Sequence, residues 1–171
     1  PRRRFYFIRD WFLRFWFRFV LPYRDLIEVG EGDRVLEVIR VGIDDFVEFA
    51  FNFLVRDFIR SPGVLPFRVA KVGSYWWHTS SGERLSVDFV AFDEELENFV
   101  VGDVFWRVLN EKETRHKIWD LEDRIERSKL RKRNHYLCIV AREIRGKDRL
   151  RDDYPDVLFF DYVDFKKFYW G

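Results

Sequence analysis

The spacing of apolar and polar residues changes period several times along the chain, and each change predicts an element. Residues 1–20 (PRRRFYFIRDWFLRFWFRFV) interleave aromatics with arginines so densely that two helical faces emerge: Trp11, Phe15 and Arg18 share one, and Phe12, Trp16 and Phe19 share the other. Two such faces predict a segment packed between two bodies. A membrane-surface helix is the alternative that arginine and tryptophan also suit, and the broken polar face favours burial over it. Leu21-Pro22-Tyr23 breaks the segment, residues 33–40 (DRVLEVIR) predict a short helix, and Gly42 interrupts it. Asp45-x-x-Glu48 has the form of a capping box opening a further helix to about residue 60, where Ser61-Pro62-Gly63 stops it. Phe46, Val47, Phe49, Ala50, Phe53 and Leu54 cover most of that helix, which predicts a central place.

The period then drops to two. Strands are predicted at residues 66–72, 84–92 and 98–108, with turns at Ser80-Ser81-Gly82 and Asp93-Glu94-Glu95. In the second strand Ser86, Asp88 and Val90 alternate with Val87, Phe89 and Ala91. In the third, Asp103, Phe105 and Arg107 alternate with Val104, Trp106 and Val108. Asn110-x-x-Glu113 is a second capping box, starting a helix with Ile118, Leu121 and Ile125 at helical spacing that runs to about residue 132. Strands at 135–142 and 157–162, separated by a charged loop over 143–156, complete the order. The expected class is α/β, with a mixed sheet and an aromatic helical extension in front. The extension is residues 1–43 and the folded domain residues 44–171.

Composition narrows the function classes. Among 171 residues, 47% hydrophobic content with 20 Phe, 7 Trp and 7 Tyr excludes intrinsic disorder. The balance of 31 basic and 30 acidic residues gives a net charge of +1, so a globally basic nucleic-acid binder is not indicated, while a local patch stays open. One cysteine, Cys138, excludes a disulfide framework and a cysteine-rich zinc site. The longest uncharged run in residues 1–24 is five residues, far short of the about 20 a spanning helix needs, so no membrane span and a soluble cytoplasmic domain are expected. Abundant Arg, Glu and Asp with no Met, no Gln and four Asn fit a thermophile. The absence of Met also reads as a fragment or a processed chain.

Several chemistries find no support. There is no G-x-x-x-x-G-K-[ST], no G-x-G-x-x-G and no G-x-S-x-G. His135 and Cys138, three apart on a strand, point to opposite faces, and His78 and His116 read as structural or solvated. What remains is acidic. Asp88 sits in an otherwise apolar strand and Asp103 opens one face of the next. If the strands pair, their carboxylates meet at one end of the sheet, and Glu48 on the preceding helix could join them. Close carboxylates repel unless they share a proton or a cation, and Mg2+ would hold phosphate oxygens as well.

This order of elements, with a helix Glu, a strand Asp and an acidic residue on the following strand, resembles the PD-(D/E)XK nucleases, whose fold is the restriction-endonuclease-like αβββαβ core. Residues 6–28 (YFIRDWFLRFWFRFVLPYRDLIE), the helix around Glu48, GSYWW (73–77), SVDFVA (86–91) and VVGDVFW (100–106) are similar to the C-terminal domain of a family of archaeal P-loop ATPases, a domain of uncertain function. The resemblance covers nearly the whole chain. It implies that Asp88 and Asp103 are metal ligands for Mg2+ or Mn2+ in an active enzyme, with Glu48 as the helix carboxylate. It also implies that an ATPase module stands in the same or an associated chain. The position of the nuclease lysine is Phe105, which can neither donate a hydrogen bond nor stabilise developing charge. Lys71 on the first strand is the replacement to consider. Arg107 is the other, though a guanidinium activates water poorly.

Each candidate also has a plain structural reading. Glu48 serves the capping box before it serves a metal, and an ion pair would satisfy Asp88. Trp76 and Trp77 pack on the sheet or stack on bases. Lys129, Arg131, Lys132 and Arg133 form either a solvated helix end or a phosphate-binding patch. The leading expectation is a catalytically degenerate nuclease-like domain that binds DNA or serves an ATPase. The alternatives are an active Mg2+-dependent nuclease with a relocated cation, and a docking or homo-oligomerisation module without nucleic acid, motivated by the aromatics of residues 5–20.

Overall fold

The computed structural model describes residue 8 and residues 10–171; the arginine-rich start of the extension, with Phe5, Tyr6 and Phe7, lies outside the described residues. The chain forms two compact units, one ending at Ala50 and the other beginning at Phe51.

The first unit is helical. α1 (Trp11–Phe15) starts at Asp10, whose carboxylate accepts the Leu13 N–H at 2.8 Å. A wide π-type turn (Trp16–Val20) and a 3-10 turn (Leu21–Tyr23) lead into α2 (Arg24–Glu28). α3 (Gly32–Arg60) follows as one continuous helix, with residues 32–50 in this unit. Two expectations are corrected here. Gly42 does not interrupt the helix, and Asp45 and Glu48 lie mid-helix, so no capping box forms between them. The glycine has a packing reason: a β-carbon there would stand 2.9 Å from the ring of Phe19, which is buried against this spot. Trp11, Phe15 and Phe19 all meet Phe46 edge-on, with ring centroids 5.8–6.2 Å apart. Phe19 therefore joins the Trp11 face rather than the Phe12 face, because the wide turn, in which Leu21 N–H bonds Trp16 C=O, slips the helical phase. Phe12 (68% exposed), Phe17 and Trp16 are left facing solvent.

The second unit is a five-stranded mixed sheet in the order β1 (Lys71–His78), β2 (Arg84–Phe92), β3 (Asn98–Leu109), β4 (Asn134–Ile144) and β5 (Val157–Phe160). The first three strands are antiparallel, and β4 and β5 run parallel to β3. α4 (Glu111–Glu126) makes the β3–β4 crossover, opened by the expected capping box: Asn110 accepts Glu113 N–H and Glu113 accepts Asn110 N–H, both at 2.9 Å. Its Ile118, Leu121 and Ile125 are buried on one sheet face with Val101, Leu137 and Ile139. Phe51, Val55, Phe58 and Ile59 of α3 cover the other face with Phe89, Val100, Val104 and Val140. Phe165 of α6 (Tyr162–Trp170) packs there too.

Several boundaries differ from the sequence reading. The first strand begins at Lys71 instead of residue 66, so Trp76, Trp77 and His78 lie on it. The charged loop contains α5 (Lys147–Asp153), and Tyr162 opens α6 instead of ending a strand. α4 stops at Glu126, and Lys129–Lys132 form a separate 3-10 turn capped by Ser128. Among the described residues no helix is long and apolar enough to cross a membrane.

Candidate functional site

The β2–β3 ladder pairs Phe92 with Phe99 and ends at Phe89 opposite Gly102. The next residue outward on each strand is an aspartate. Asp88 Oδ2 accepts the Val104 N–H at 2.8 Å, and Asp103 Oδ1 accepts the Asp88 N–H at 3.4 Å, so two side chains replace the ladder where the strands part. β2 is bulged at this point. Gly73 pairs with Val90 and Tyr75 with Val87, leaving Asp88 and Phe89 together opposite Ser74. The bulge overturns the even alternation expected of β2: Val87 and Val90 both face α4, and Phe89 turns to the other side. Gly102 is required by the same geometry, since a β-carbon would collide with the Phe89 ring and stand 2.7 Å from the Cys138 carbonyl.

The Asp103 carboxylate already has a cation, and a second guanidinium sits on the Asp88 backbone. Arg124 of α4 donates to both Asp103 oxygens, to Ser86 C=O at 2.5 Å, and contacts Asp120 at 3.1 Å. Arg56 of α3 donates to Asp88 C=O at 3.0 Å, and its buried Nε has no hydrogen-bond partner. Burial is the main cause that raises the Asp88 pKa; the Val104 N–H opposes it, Asp103 adds to it, and Arg124 and Arg56 oppose it. Burial alone would lower the pKa of Arg124, but its bond to Asp103 and the surrounding carboxylates carry it above the ordinary value. Arg56 is lowered, chiefly by burial. Burial, then the charge of Asp103, pushes the Cys138 thiol far up, leaving it inert.

A divalent ion needs several free oxygen ligands. Both oxygens of Asp103 are held by Arg124, and among the described residues no cluster of three or more His, Cys, Asp or Glu could hold a metal. The residues do not fit Mg2+ or Mn2+. Glu48 is an exposed residue of the first unit, midway along α3. Lys71 pairs with Phe92, four residues from Asp88 on β2, or roughly 13 Å at the rise of a strand. Phe105 has Lys117 Nζ 5.2 Å from its ring centre, and Arg107 is 3.6 Å from Glu113. None of these cations joins the aspartate pair.

A second constellation lies at the far end of β1. An open cleft of about 920 Å3 is lined by Tyr75 and Trp77, by the hydroxyl-bearing turn Thr79-Ser80-Ser81, and by Lys129, Arg131 and Lys132. Trp77 is buried, stacked on Tyr75 at 5.2 Å, and its Nε1 donates to Arg127 C=O at 3.1 Å, so packing engages its ring and its N–H. Trp76 is exposed, with the Arg84 guanidinium over its ring at 5.0 Å. Arg133 turns away toward Leu96 C=O and the ring of Phe99. The basic run thus contributes three of its four cations to the cleft.

Residues 16–117 match the model of DUF234, described as archaeal and bacterial proteins of unknown function. The chain belongs to the DUF234 family. It is 28% identical over 163 residues to uncharacterized protein MJECL04 of Methanocaldococcus jannaschii, covering 94% of this chain and 34% of that protein. The chain therefore spans about a third of the length of the curated relative it matches. No solved structure matches it. The DUF234 match includes Asp88 and Asp103 and stops short of Arg124 and the basic wall of the cleft.

Arg124 and Arg56 were not singled out from the sequence of this DUF234 chain. Each carried a signal: Arg124 borders the buried Leu121 and Ile125 positions, and Arg56 lies between Val55 and Phe58 in an apolar stretch. A cation at the margin of a buried stripe needs a polar partner within the fold.

Proposed function

We propose that this chain is a catalytically degenerate nuclease-like domain that holds nucleic acid without cutting it, as an accessory to an ATPase module in the same or an associated chain. One observation carries the loss of catalysis: the guanidinium of Arg124 occupies both oxygens of Asp103, where a nuclease would place its metal. Phe105 at the lysine position agrees with it, since no side chain there can activate water. The nuclease-like reading itself draws support from three antiparallel strands, a helical crossover to a parallel fourth, and aspartates on adjacent strands. The nucleic-acid reading draws on the basic cleft, and the ATPase association on the aromatic–arginine block of residues 6–28.

The test is incubation of the folded protein with supercoiled, linear and single-stranded DNA in Mg2+, Mn2+ or chelator, beside Asp88→Asn/Asp103→Asn. We expect no cleavage in any buffer. Metal-dependent cleavage that disappears in the double variant would overturn the reading in favour of an active nuclease.

A second reading, a docking or self-associating module, is favoured by the solvent-facing Phe12, Trp16 and Phe17. Sedimentation of the protein against Phe12→Ser/Phe17→Ser tests it. A concentration-dependent dimer lost in the variant supports it, and a monomer in both sinks it.

A further inference from the structure

We infer that the cleft between the β1–β2 turn and the Lys129–Lys132 turn takes one strand of single-stranded nucleic acid in preference to a duplex; this rests on the nucleic-acid reading above and names its substrate class.

The charge is arranged on one wall. Lys129, Arg131 and Lys132 are exposed and pair with no carboxylate among the described residues, whereas neighbouring Arg127 is engaged by Glu83 and by Asp123. Glu126 is the one acid lining the cleft, so the cations there remain in excess. The rest of the lining is rich in hydroxyl donors. Thr79 Oγ1 and Ser81 Oγ are 2.8 Å apart, Ser80 is exposed, and His78 stands beside them. Cations and hydroxyls lining one cleft match a single phosphodiester chain, with phosphates on the cations and sugar and base edges on the hydroxyls.

Shape argues the same way. A volume of about 920 Å3 lies in the range of small-ligand sites. A duplex is convex and needs cations spread along its length, and here they fall within four residues of one turn. The aromatic lining of the cleft is rigid, because Trp77 is fixed by its stack with Tyr75 and its bond to Arg127 C=O.

The magnitude is predictable. Three phosphate contacts to a single strand give a slope of log K against log salt of about −2, or roughly a twentyfold loss of affinity between 50 and 200 mM salt. The experiment is fluorescence anisotropy of the protein with a labelled 12-nucleotide single strand and with the same sequence as duplex, across that salt range. Lys129→Glu/Lys132→Glu removes the charge and Ser80→Trp fills the cleft, and both sites are exposed enough to leave the fold intact. Lys166→Glu/Lys167→Glu on α6 is the charge-matched control. We expect at least tenfold preference for the single strand, the stated slope, and loss of that preference in both cleft variants but not in the control. Equal or tighter duplex binding would overturn the strand assignment while leaving the nucleic-acid reading in place. Single-strand binding insensitive to the cleft variants would overturn the site. Failure of both oligonucleotides to bind would remove the nucleic-acid reading itself, and this inference with it.

Discussion

The Asp88–Asp103 fork and the basic cleft belong to the same sheet unit and use their charges in opposite ways. At the fork, carboxylates and guanidiniums close on one another: Arg124 on Asp103, Arg56 on the Asp88 carbonyl, Asp88 on the Val104 amide. At the cleft, three cations stand in solvent, paired with no acid among the described residues. The residues whose pattern resembles catalysis are committed to bridging two strands where their ladder ends, and those whose pattern resembles an ordinary helix end are free to meet a ligand. Burial explains the difference. A charge in the interior is stable only if the fold supplies its counter-ion, while a charge at the surface can wait for an external one.

The comparison breaks most visibly at Asp103. Asp103→Asn takes the buried anion from part-buried Arg124 and leaves it the more exposed Asp120, and a loss of about 3 kcal/mol in urea unfolding is expected. Adding Arg124→Met should return most of that loss, because it removes the poorly compensated charge from the interior. If Asp103 were instead one of two repelling metal ligands, Asp103→Asn would stabilise the metal-free protein, so the sign alone separates the two roles. Next in size is Gly102→Ala, expected to destabilise by about 2 kcal/mol through the clash with the Phe89 ring and the Cys138 carbonyl. Combining it with Phe89→Leu should recover part of the loss, since the obstructing ring is gone.

Asp88 refines the fork. Its pKa is raised in the folded state, so the folded protein binds the Asp88 proton more tightly than the unfolded chain does. That contribution is fully present below the unfolded value of 3.8 and is lost as pH rises through the folded pKa. Asp88→Asn keeps an oxygen for the Val104 N–H and cannot ionise. The variant should therefore gain on the wild type as pH rises through that range, and equal or exceed its stability at pH 7. Parallel denaturant titrations from pH 3 to 8 read the crossing, and a variant that falls behind with rising pH would mean that Asp88 is stabilised as an anion.

How far the sequence reached follows from which contacts are local. The Asn110–Glu113 box joins groups three residues apart, and the ends of β2 and β3 are marked by turn residues, so those elements were legible. Gly42 was misread because its reason, Phe19, lies 23 positions earlier and depends on a wide turn. The bulge at Asp88 is visible only through its partners Gly73 and Tyr75, so the alternation of β2 could not be phased from β2 alone. That the two aspartates would come together was readable once β2 and β3 were taken as neighbours. That Arg124 would pair with Asp103 was not, because 21 positions separate the two.

The smallest effect on stability is expected at the cleft. Lys129→Glu/Lys132→Glu should shift unfolding by no more than about 0.5 kcal/mol, since neither residue is buried and neither loses a counter-ion. The same double change removes two of the three cations available to a phosphate backbone. A fold that tolerates this reversal while ligand affinity falls would mark these charges as kept for something outside the chain. A loss of stability comparable to Asp103→Asn would mean instead that they support the Lys129–Lys132 turn, and the contrast between fork and cleft would collapse.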